Sequence, residues 1–294
     1  MKRILSFILV ATLLTTATQS CKKKKADDPV VPVFLASTSP SNRVAMLEDF
    51  TGVRCGYCPD GHVRAKAILD ANPGKFIIIA TNANLYAVPQ PGWADFTTLA
   101  GTAIDAQAKP SGYPAGTMNR ATCASVGATP MNAALSLITM DRGQWSKAAT
   151  AIMAMPAPVN IGAKATFDAA TRKLTVLVDL YYTAAETVPN NINVALLQDK
   201  LMAKQSGGLP DPNNYEENHV LRDMITPGNW GAAISEATTV GAKVSKTYTY
   251  TVPADYHGTA VTGGGAVVVD NLKVVVYVSR GQLEIINALE IDVQ

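Results

Sequence analysis

The chain has 294 residues, of which 48% are hydrophobic, with 25 Lys plus Arg, 23 Asp plus Glu and only four Cys. This composition excludes a disordered chain, a collagen and a disulfide-rich miniprotein. The one long apolar run, residues 4–14, is much shorter than the roughly 20 residues of a membrane-spanning helix. A bundle of transmembrane helices is therefore also excluded.

The N-terminus has the pattern of an export signal. Lys2 and Arg3 precede the apolar run, and a small, polar stretch leads to Cys21. We therefore predict a lipoprotein signal peptide at residues 1–20. Cys21 stands where bacterial lipoproteins are acylated, and that resemblance implies attachment to a membrane through lipid on Cys21. Thr18 stands where lipoprotein signals usually have Leu, so ordinary cleavage after Ser20 remains the alternative.

Charge and composition predict a spacer after the signal. Removal of residues 1–20 leaves equal numbers of cationic and anionic side chains, 23 of each, so no electrostatic footprint for nucleic acid remains. Four lysines at residues 22–25 lie beside the proposed lipid, and prolines follow at 29, 32 and 40. We predict a flexible stalk over residues 21–42.

The next segment alternates strand and helix patterns. Strands are predicted at 44–50 and 76–80, with a helix at 60–71 between them. Because the second strand is apolar throughout, we expect the two to pair in parallel in an α/β unit. Later elements are predicted as a helix at 93–108, strands at 117–120 and 133–140, and a helix at 144–155. Pro156 and Pro158 end this domain, which we place at residues 43–156.

From residue 157 the hydrophobic pattern changes to period two. Strands are predicted at 163–167, 174–182, 192–198, 243–252, 272–278 and 284–293. The polar stretch 202–230 is predicted as a packed loop with a helical piece near 219–224. This alternation is typical of an antiparallel all-β, sandwich-like domain, which we place at residues 157–294.

The strongest chemical signal is the sequence Cys55-Gly56-Tyr57-Cys58 between a predicted strand and a predicted helix. Unpaired amides at a helix N-terminus favour a thiolate, which is the form that attacks disulfides. Arg54 adds positive charge beside Cys55, which we predict as the nucleophile. Cys58 lies close enough to resolve a mixed disulfide.

Other interpretations of these cysteines stay open. A purely structural disulfide is one, although a loop of four residues gives only about 2 kcal/mol of chain-entropy stabilisation. Zinc bound with His62 and Cys123 is another, but a second clear ligand pair is missing. Cys123 itself is either a small buried hydrophobic residue or a third exchanging thiol. We predict no metal and no cofactor.

The segment around the cysteines resembles the thioredoxin-like fold. A strand ending in Asp49-Phe50 comes before the cysteine pair, and Tyr113-Pro114 comes before a later predicted strand. The resemblance implies that Asp49 assists proton removal from Cys58 and that Pro114 is the cis-proline facing the cysteines. From their positions beside these groups, Tyr57, Arg54 and Tyr113 are candidate substrate contacts.

A second resemblance covers most of the chain. The chain is similar to the 28-kDa outer membrane lipoprotein family in the segments Leu47-Glu48-Asp49-Phe50-Thr51-Gly52, Gly112-Tyr113-Pro114, Asn119-Arg120 and Asn218-His219-Val220-Leu221-Arg222. This resemblance implies an outer membrane location, on the periplasmic face or the cell surface, and a thioredoxin-like domain followed by a β-domain.

Two functions are compatible with these features. The first is a lipid-anchored thiol–disulfide oxidoreductase or redox partner with a thiol-bearing protein client. The second is a binding or adhesion lipoprotein that uses the β-domain, in which the cysteine pair is a structural disulfide.

Overall fold

Strands dominate the described part of the chain. A computed structural model describes residues 33–88, 90–257 and 265–294. The predicted signal peptide, Cys21 and residues 22–32 of the predicted stalk lie outside the described residues. Within the described ranges, the strands are β1 (Ala45–Thr51), β2 (Phe76–Asn82), β3 (Ala115–Met118), β4 (Thr139–Asp141), β5 (Val159–Asp168), β6 (Lys173–Tyr182), β7 (Asn190–Gln198), β8 (Leu201–Ala203), β9 (Tyr215–Glu217), β10 (Val220–Met224), β11 (Ala232–Ala233), β12 (Lys243–Thr251), β13 (Leu272–Arg280) and β14 (Ile285–Asp292). The helices in the same ranges are α1 (Cys58–Ala71), α2 (Asn84–Ala87), α3 (Leu99–Ala108) and α4 (Trp145–Met153).

A large mixed sheet has the strand order β14-β13-β7-β10-β2-β1-β3-β4, with β11 attached to β7. β1 and β2 pair in parallel, as the sequence predicts. β10 joins the other edge of β2 in parallel, through Val220 and Ala80. β7, β13 and β14 extend the sheet by antiparallel pairing. Strands from both sides of residue 157 therefore share one sheet.

This continuity differs from the predicted succession of a domain at 43–156 and a domain at 157–294. Residues Phe34–Gln294 form one compact unit. The physical reason lies at the edge of β2, whose Ala80 N–H donates to the His219 carbonyl at 2.8 Å. An uncovered strand edge invites unwanted pairing, and the C-terminal half supplies the strand that covers this one. The prolines near residue 156 mark a change of strand pattern within that unit.

The last part of the predicted stalk is held against the folded unit. The Leu35 N–H donates to Asp179 Oδ2 at 2.7 Å, and Asn160 Nδ2 donates to the carbonyls of Ser37 and Ser39 at 2.7 and 2.6 Å. Gly162 permits this approach, since a Cβ there would be 2.2 Å from the Leu35 carbonyl carbon. Residues 34–42 are therefore part of the compact unit, in contrast to the predicted flexible stalk up to residue 42.

Buried apolar side chains cover both faces of the large sheet. α3 packs on one face, where Met46 and Ile104 belong to the same cluster. α1 and α4 pack on the opposite face around Leu47 and Trp145. The antiparallel sheet β12-β6-β5 packs against β7 and β13. The fold is thus mostly β, with mixed and antiparallel sheets and few helices, and none of the helices in the described ranges is both long and apolar enough to cross a membrane.

Three predicted elements differ from the structure. The helix expected from residue 93 begins only at Leu99, because the Asp95 side chain accepts from the Thr97 N–H in a tight turn and Thr98 caps the helix. The strand expected at 133–140 is mostly turn and becomes strand only at β4. The helical piece expected near 219–224 is strand β10, since pairing with β2 and β7 overrides its local preference.

A buried ion pair fixes β1 to the turn after β3. Arg120 Nε donates to the two carboxylate oxygens of Glu48 at 3.0 and 3.1 Å, and both side chains are 1% exposed. Thr117 Oγ1 donates to the same carboxylate at 2.7 Å. The guanidinium also lies over the rings of Trp230 and Tyr277, at 5.2 and 5.7 Å from their centres. Removal of either charge therefore leaves the other buried without its partner.

We expect Arg120→Met to lower the free energy of unfolding by about 3–5 kcal/mol, because Glu48 stays buried without its counter-charge. Urea denaturation measures this loss. The double variant with Glu48→Gln should recover part of it, since no uncompensated charge remains. Lys66→Met is the control, because its partner Asp70 and Lys66 itself are exposed and such pairs contribute little. Equal effects of Arg120→Met and Lys66→Met would contradict this account.

Candidate functional site

The loop from Gly52 to Tyr57 joins β1 to α1 and carries the cysteines. The Cys55 N–H donates to the Gly52 carbonyl at 2.9 Å, and the Arg54 N–H donates to the Tyr86 carbonyl at 2.9 Å. A Cβ on Gly52 would be 2.4 Å from the carbonyl carbon of Tyr86, so only glycine fits there. Pro59 lies in the first turn of α1, where its missing N–H costs no helical hydrogen bond. The sequence therefore places a tight loop directly before a helix.

Cys55 and Cys58 form a disulfide across this helix start, with their Cα atoms 5.4 Å apart. Cys58 is fully buried and Cys55 is only 2% exposed. Arg54, Gly56 and Tyr57 around them are exposed. The disulfide thus lies just below an accessible surface.

Cys123 is a free cysteine that is fully buried. Its Sγ donates to the Thr139 carbonyl at 3.5 Å, and it packs in the apolar cluster with Met118 and Trp145. This environment matches the small buried hydrophobic residue that the sequence offered as one interpretation. Within the described ranges, no group of three or more His, Cys, Asp or Glu side chains is arranged to hold a metal ion.

Asp49 lies on β1, opposite Ala80 of β2 and Gly116 of β3. It is 1% exposed, and neither of its carboxylate oxygens has a hydrogen-bond partner among the described residues. Burial raises the pKa of Asp49 to about 8, since the charged form loses its hydration. The carboxyl group is therefore mostly protonated at neutral pH.

His62 connects Asp49 to the helix that begins with Cys58. His62 Nε2 is 3.9 Å from Asp49 Oδ2. His62 comes four residues after Cys58 in α1, so the two side chains share one face of the helix. Asp49 thus lies beside α1, at a residue one helical turn after Cys58.

A second buried acid lies on the other side of His62. Glu217 Oε2 is 3.8 Å from His62 Nδ1, while Thr51 Oγ1 and the Tyr215 hydroxyl lie 2.9 and 3.0 Å from the two ring nitrogens. Burial, and after it the charge of Asp49, raises the pKa of Glu217 to about 8. Burial lowers the pKa of His62 to about 4. The sequence does not reveal Glu217 as a site residue, because nothing in the spacing of residue 217 relates it to residue 49.

The Tyr113–Pro114 peptide bond is cis, as the thioredoxin-like resemblance implies. Pro114 lies against the first turn of α1, since a Cβ on Gly61 would be 3.0 Å from the Pro114 Cβ. The structure thus places Cys55 and Cys58 at the start of α1, with Pro114 and Asp49 against its next residues, Gly61 and His62.

Two cavities are lined by residues of the candidate site, one at the disulfide loop and one along α1. The first, of about 490 Å³, is lined by Arg54, Tyr86 and Tyr113 together with Pro110, Ser111 and Gly112. Tyr113 is fixed there by its hydroxyl, which donates to Asp105 at 2.5 Å. Tyr57 is 73% exposed and does not line this cavity. Two of the three predicted substrate contacts therefore lie together.

The second cavity, of about 620 Å³, lies between α1 and the segment around β9. Its lining includes Asp49 and His62 as well as apolar side chains such as Val63, Leu69 and Leu209. Val63 and Leu209 are 67% and 82% exposed. This cavity is a route from the surface to the buried acid.

Residues 205–208, which we call the cover segment, lie on the disulfide loop. Gln205 Nε2 donates to the carbonyls of Cys55 and Gly52 at 2.9 and 3.3 Å. The Ser206 N–H donates to the Val53 carbonyl at 2.8 Å. A Cβ on Gly207 would be 2.2 Å from the Gly56 oxygen. The sequence predicted only a packed loop here, and no local signal relates it to the cysteines.

Comparison with solved structures shows likeness in fold. HBP35 of Porphyromonas gingivalis has a TM-score of 0.66 and 16% identity, over 86% of this chain and 76% of that one. A protein from Agrobacterium tumefaciens has a TM-score of 0.51 and 12% identity, over 86% of this chain and 96% of its own. A domain of the outer membrane lipoprotein Omp28 from Porphyromonas gingivalis is 24% identical, with a TM-score of 0.31, over 47% of this chain and 99% of its own.

Comparison with protein families identifies the chain more directly. No curated protein matches it. The model of the family described as outer membrane protein Omp28 matches residues 102–287, which is more than half of the chain. The protein therefore belongs to the Omp28 family, which confirms the predicted resemblance and the predicted localisation as an outer membrane lipoprotein.

Proposed function

We propose that the protein is a lipid-anchored lipoprotein whose Cys55–Cys58 disulfide exchanges with thiols of client proteins. The observation that carries this proposal is the buried Asp49 carboxyl, which has no hydrogen-bond partner among the described residues and lies 3.9 Å from the ring of His62, one helical turn after Cys58. Burial of an unsatisfied polar group is costly. Transfer of a proton to and from Cys58 explains why the chain keeps this buried carboxyl despite that cost.

The arrangement around the disulfide supports a thioredoxin-like module at residues 43–156. The strand β1 is followed by α1 and the parallel strand β2, and then by α3, the antiparallel strands β3 and β4, and α4. The disulfide lies at the start of α1, and the cis-proline Pro114 lies against Gly61 of the same helix. This module differs from an isolated domain because β10 pairs with its strand β2.

The exchange proceeds by two thiol–disulfide substitutions. A client thiolate attacks Cys55 Sγ, the bond between the two cysteines breaks, and Cys58 leaves as a thiolate. Asp49, protonated at neutral pH, transfers its proton to that thiolate. A second client thiolate then attacks the client sulfur, which releases Cys55 as a thiolate and leaves the client oxidised. Reduction of a client disulfide follows the same steps in reverse: the Cys55 thiolate attacks the client disulfide, Asp49 accepts the proton from Cys58, and the Cys58 thiolate re-forms the bond to Cys55 and releases the reduced client.

Cys58→Ala should trap mixed disulfides on Cys55, because the resolving thiol is absent. After incubation with oxidised glutathione, mass spectrometry should find the adduct on Cys55 at least about tenfold faster than on Cys123, which is buried. Cys55→Ala is the matched control and should accumulate little adduct on the buried Cys58. Equal, slow labelling of Cys55 and Cys123 would contradict the proposed exchange.

The protonation of the two buried acids predicts how stability depends on pH. Their pKa values of about 8 in the folded protein exceed the unfolded values of about 4, so the folded state binds more protons below pH 8. His62 has the opposite effect, but only below its unfolded pKa of about 6.5, because its folded pKa is lowered to about 4. The free energy of unfolding should therefore fall between pH 6.5 and pH 8.

Asp49→Asn should flatten this fall, because the amide does not titrate. Urea denaturation of the oxidised protein at several pH values between 6.5 and 8 measures the slope. Asp70→Asn is the control, since Asp70 is exposed and should leave the slope unchanged. Identical slopes in wild type and Asp49→Asn would show that Asp49 is ionised throughout this range.

The second candidate is a binding or adhesion lipoprotein in which the disulfide is structural. The burial of both cysteines favours it, because a disulfide that no thiol reaches cannot exchange. The reduction potential of the pair separates the two candidates. A value below about −300 mV is typical of structural disulfides, whereas a higher value supports exchange.

The anchor at Cys21 is part of the same proposal. Two or more acyl chains, at about 0.8 kcal/mol per buried CH₂, would hold the protein on a bilayer almost permanently. Cys21→Ala should therefore move the protein from the membrane fraction to the soluble fraction and abolish labelling by a radioactive fatty acid. Cys123→Ala is the control. Fatty-acid labelling that persists in Cys21→Ala would place the anchor elsewhere.

A further inference from the structure

The cover segment is an outer layer over the disulfide loop. Its contacts go to main-chain carbonyls of that loop, namely those of Gly52, Val53 and Cys55. Gln205 is 1% exposed, whereas Gly207 and the following residues 209–214 face solvent. The segment therefore separates the loop from solvent on one side without belonging to the central sheet.

The cover segment and Tyr86 hold the disulfide loop from two directions. The Arg54 N–H donates to the Tyr86 carbonyl, and the cover segment contacts the carbonyls on either side of Arg54. Cys55 is 2% exposed although residues 54, 56 and 57 around it are exposed. A large partner therefore needs a movement of the surrounding chain before its sulfur reaches Cys55 Sγ.

The hydrogen bonds of the cover segment are of a kind that another polypeptide reproduces. The Ser206 main-chain N–H and the Gln205 side-chain amide donate to carbonyls of the loop. Main-chain amides of an extended client chain donate in the same way once the cover segment moves. The surface of a folded protein cannot take the position of the cover segment, because it presents few free main-chain amides that could donate to the carbonyls of the loop.

We propose that the cover segment determines which thiols react with Cys55: it admits small thiols and thiols on extended polypeptides, and it excludes thiols on folded proteins. This inference rests on the proposed exchange function and names the client class for the same site. Gln205 and Gly207 are the specificity-determining residues. The covalent step is the one given above, with attack on Cys55 Sγ, departure of Cys58 and proton transfer from Asp49.

Gly207→Ala tests this proposal. An added Cβ would be 2.2 Å from the Gly56 oxygen, so the cover segment must move away from the loop. Gly228→Ala is a matched control, because Gly228 also has a positive φ, +68° against +72° for Gly207, but has no atom within 4 Å of an added Cβ. Both variants bear the same backbone cost, and only Gly207→Ala displaces the cover.

The measurement is the rate constant for reduction of the disulfide by three thiols. These are dithiothreitol, a reduced unstructured peptide that contains one cysteine, and a folded dithiol protein such as reduced thioredoxin. We expect Gly207→Ala to accelerate reduction by the folded protein at least about tenfold and reduction by dithiothreitol less than about threefold. Wild type should react faster with the peptide than with the folded protein. Gly228→Ala should resemble wild type with all three.

If the folded dithiol protein reduces the disulfide of wild type and of Gly207→Ala with the same rate constant, the role of the cover segment is overturned. The exchange function itself would stay in place. Resistance of the disulfide to all three thiols, in wild type and in Gly207→Ala, would overturn the exchange function itself.

If Gly207→Ala does not fold, Gln205→Ala provides the test, because it removes the donors to the Cys55 and Gly52 carbonyls. Faster hydrogen exchange of the Ser206 amide in that variant, together with faster reduction by folded protein, supports the proposal. Unchanged reduction despite faster exchange contradicts it.

Discussion

The parallel pairing of β10 with β2 joins the two halves of this protein and determines the surroundings of the disulfide. The hydrogen bond from the Ala80 N–H to the His219 carbonyl lies at this junction. The chain immediately before β10 includes the cover segment, Tyr215 and Glu217. Because β10 is fixed at the edge of β2, those residues lie beside α1 and the disulfide loop.

The polar groups assembled by that pairing are unusually buried. Asp49 and Glu217 lie on either side of His62, each within 4 Å of one ring nitrogen. Burial holds both acids protonated and the imidazole neutral near pH 7. The cluster therefore carries little net charge at neutral pH, which reduces the cost of its burial.

The disulfide is buried within a loop that lies at the surface. Arg54, Gly56 and Tyr57 of that loop are exposed, and chain from elsewhere in the sequence packs on the main chain of the loop. An inert disulfide and a gated one are equally buried in this closed arrangement. They differ in whether the covering chain opens, and the cover segment is held by hydrogen bonds from Gln205 and Ser206 to carbonyls of the loop. Membership in the Omp28 family fixes the cellular location, while the proposed exchange requires that opening.

The sequence by itself determined the local features. The strand-loop-helix with Cys55 and Cys58, the parallel pairing of β1 with β2, and the period-two strands after residue 157 follow from residue patterns that act over short distances. Asp49 and Pro114 could be predicted as site residues because they belong to segments that resemble the thioredoxin-like fold. The helical interpretation of residues 219–224 failed because pairing with two distant strands outweighs local preference.

Only the tertiary structure decided what surrounds the disulfide. Glu217 and Gln205 are more than 140 residues from Asp49 and Cys55, respectively, and no spacing rule relates such positions. The sheet that runs through both halves likewise depends on which strand covers the edge of β2, and that choice is made by the packing of the whole chain. The residues of the cysteine motif could be recognised from the sequence alone. Burial of the disulfide and its access to other thiols depend on contacts that exist only after folding.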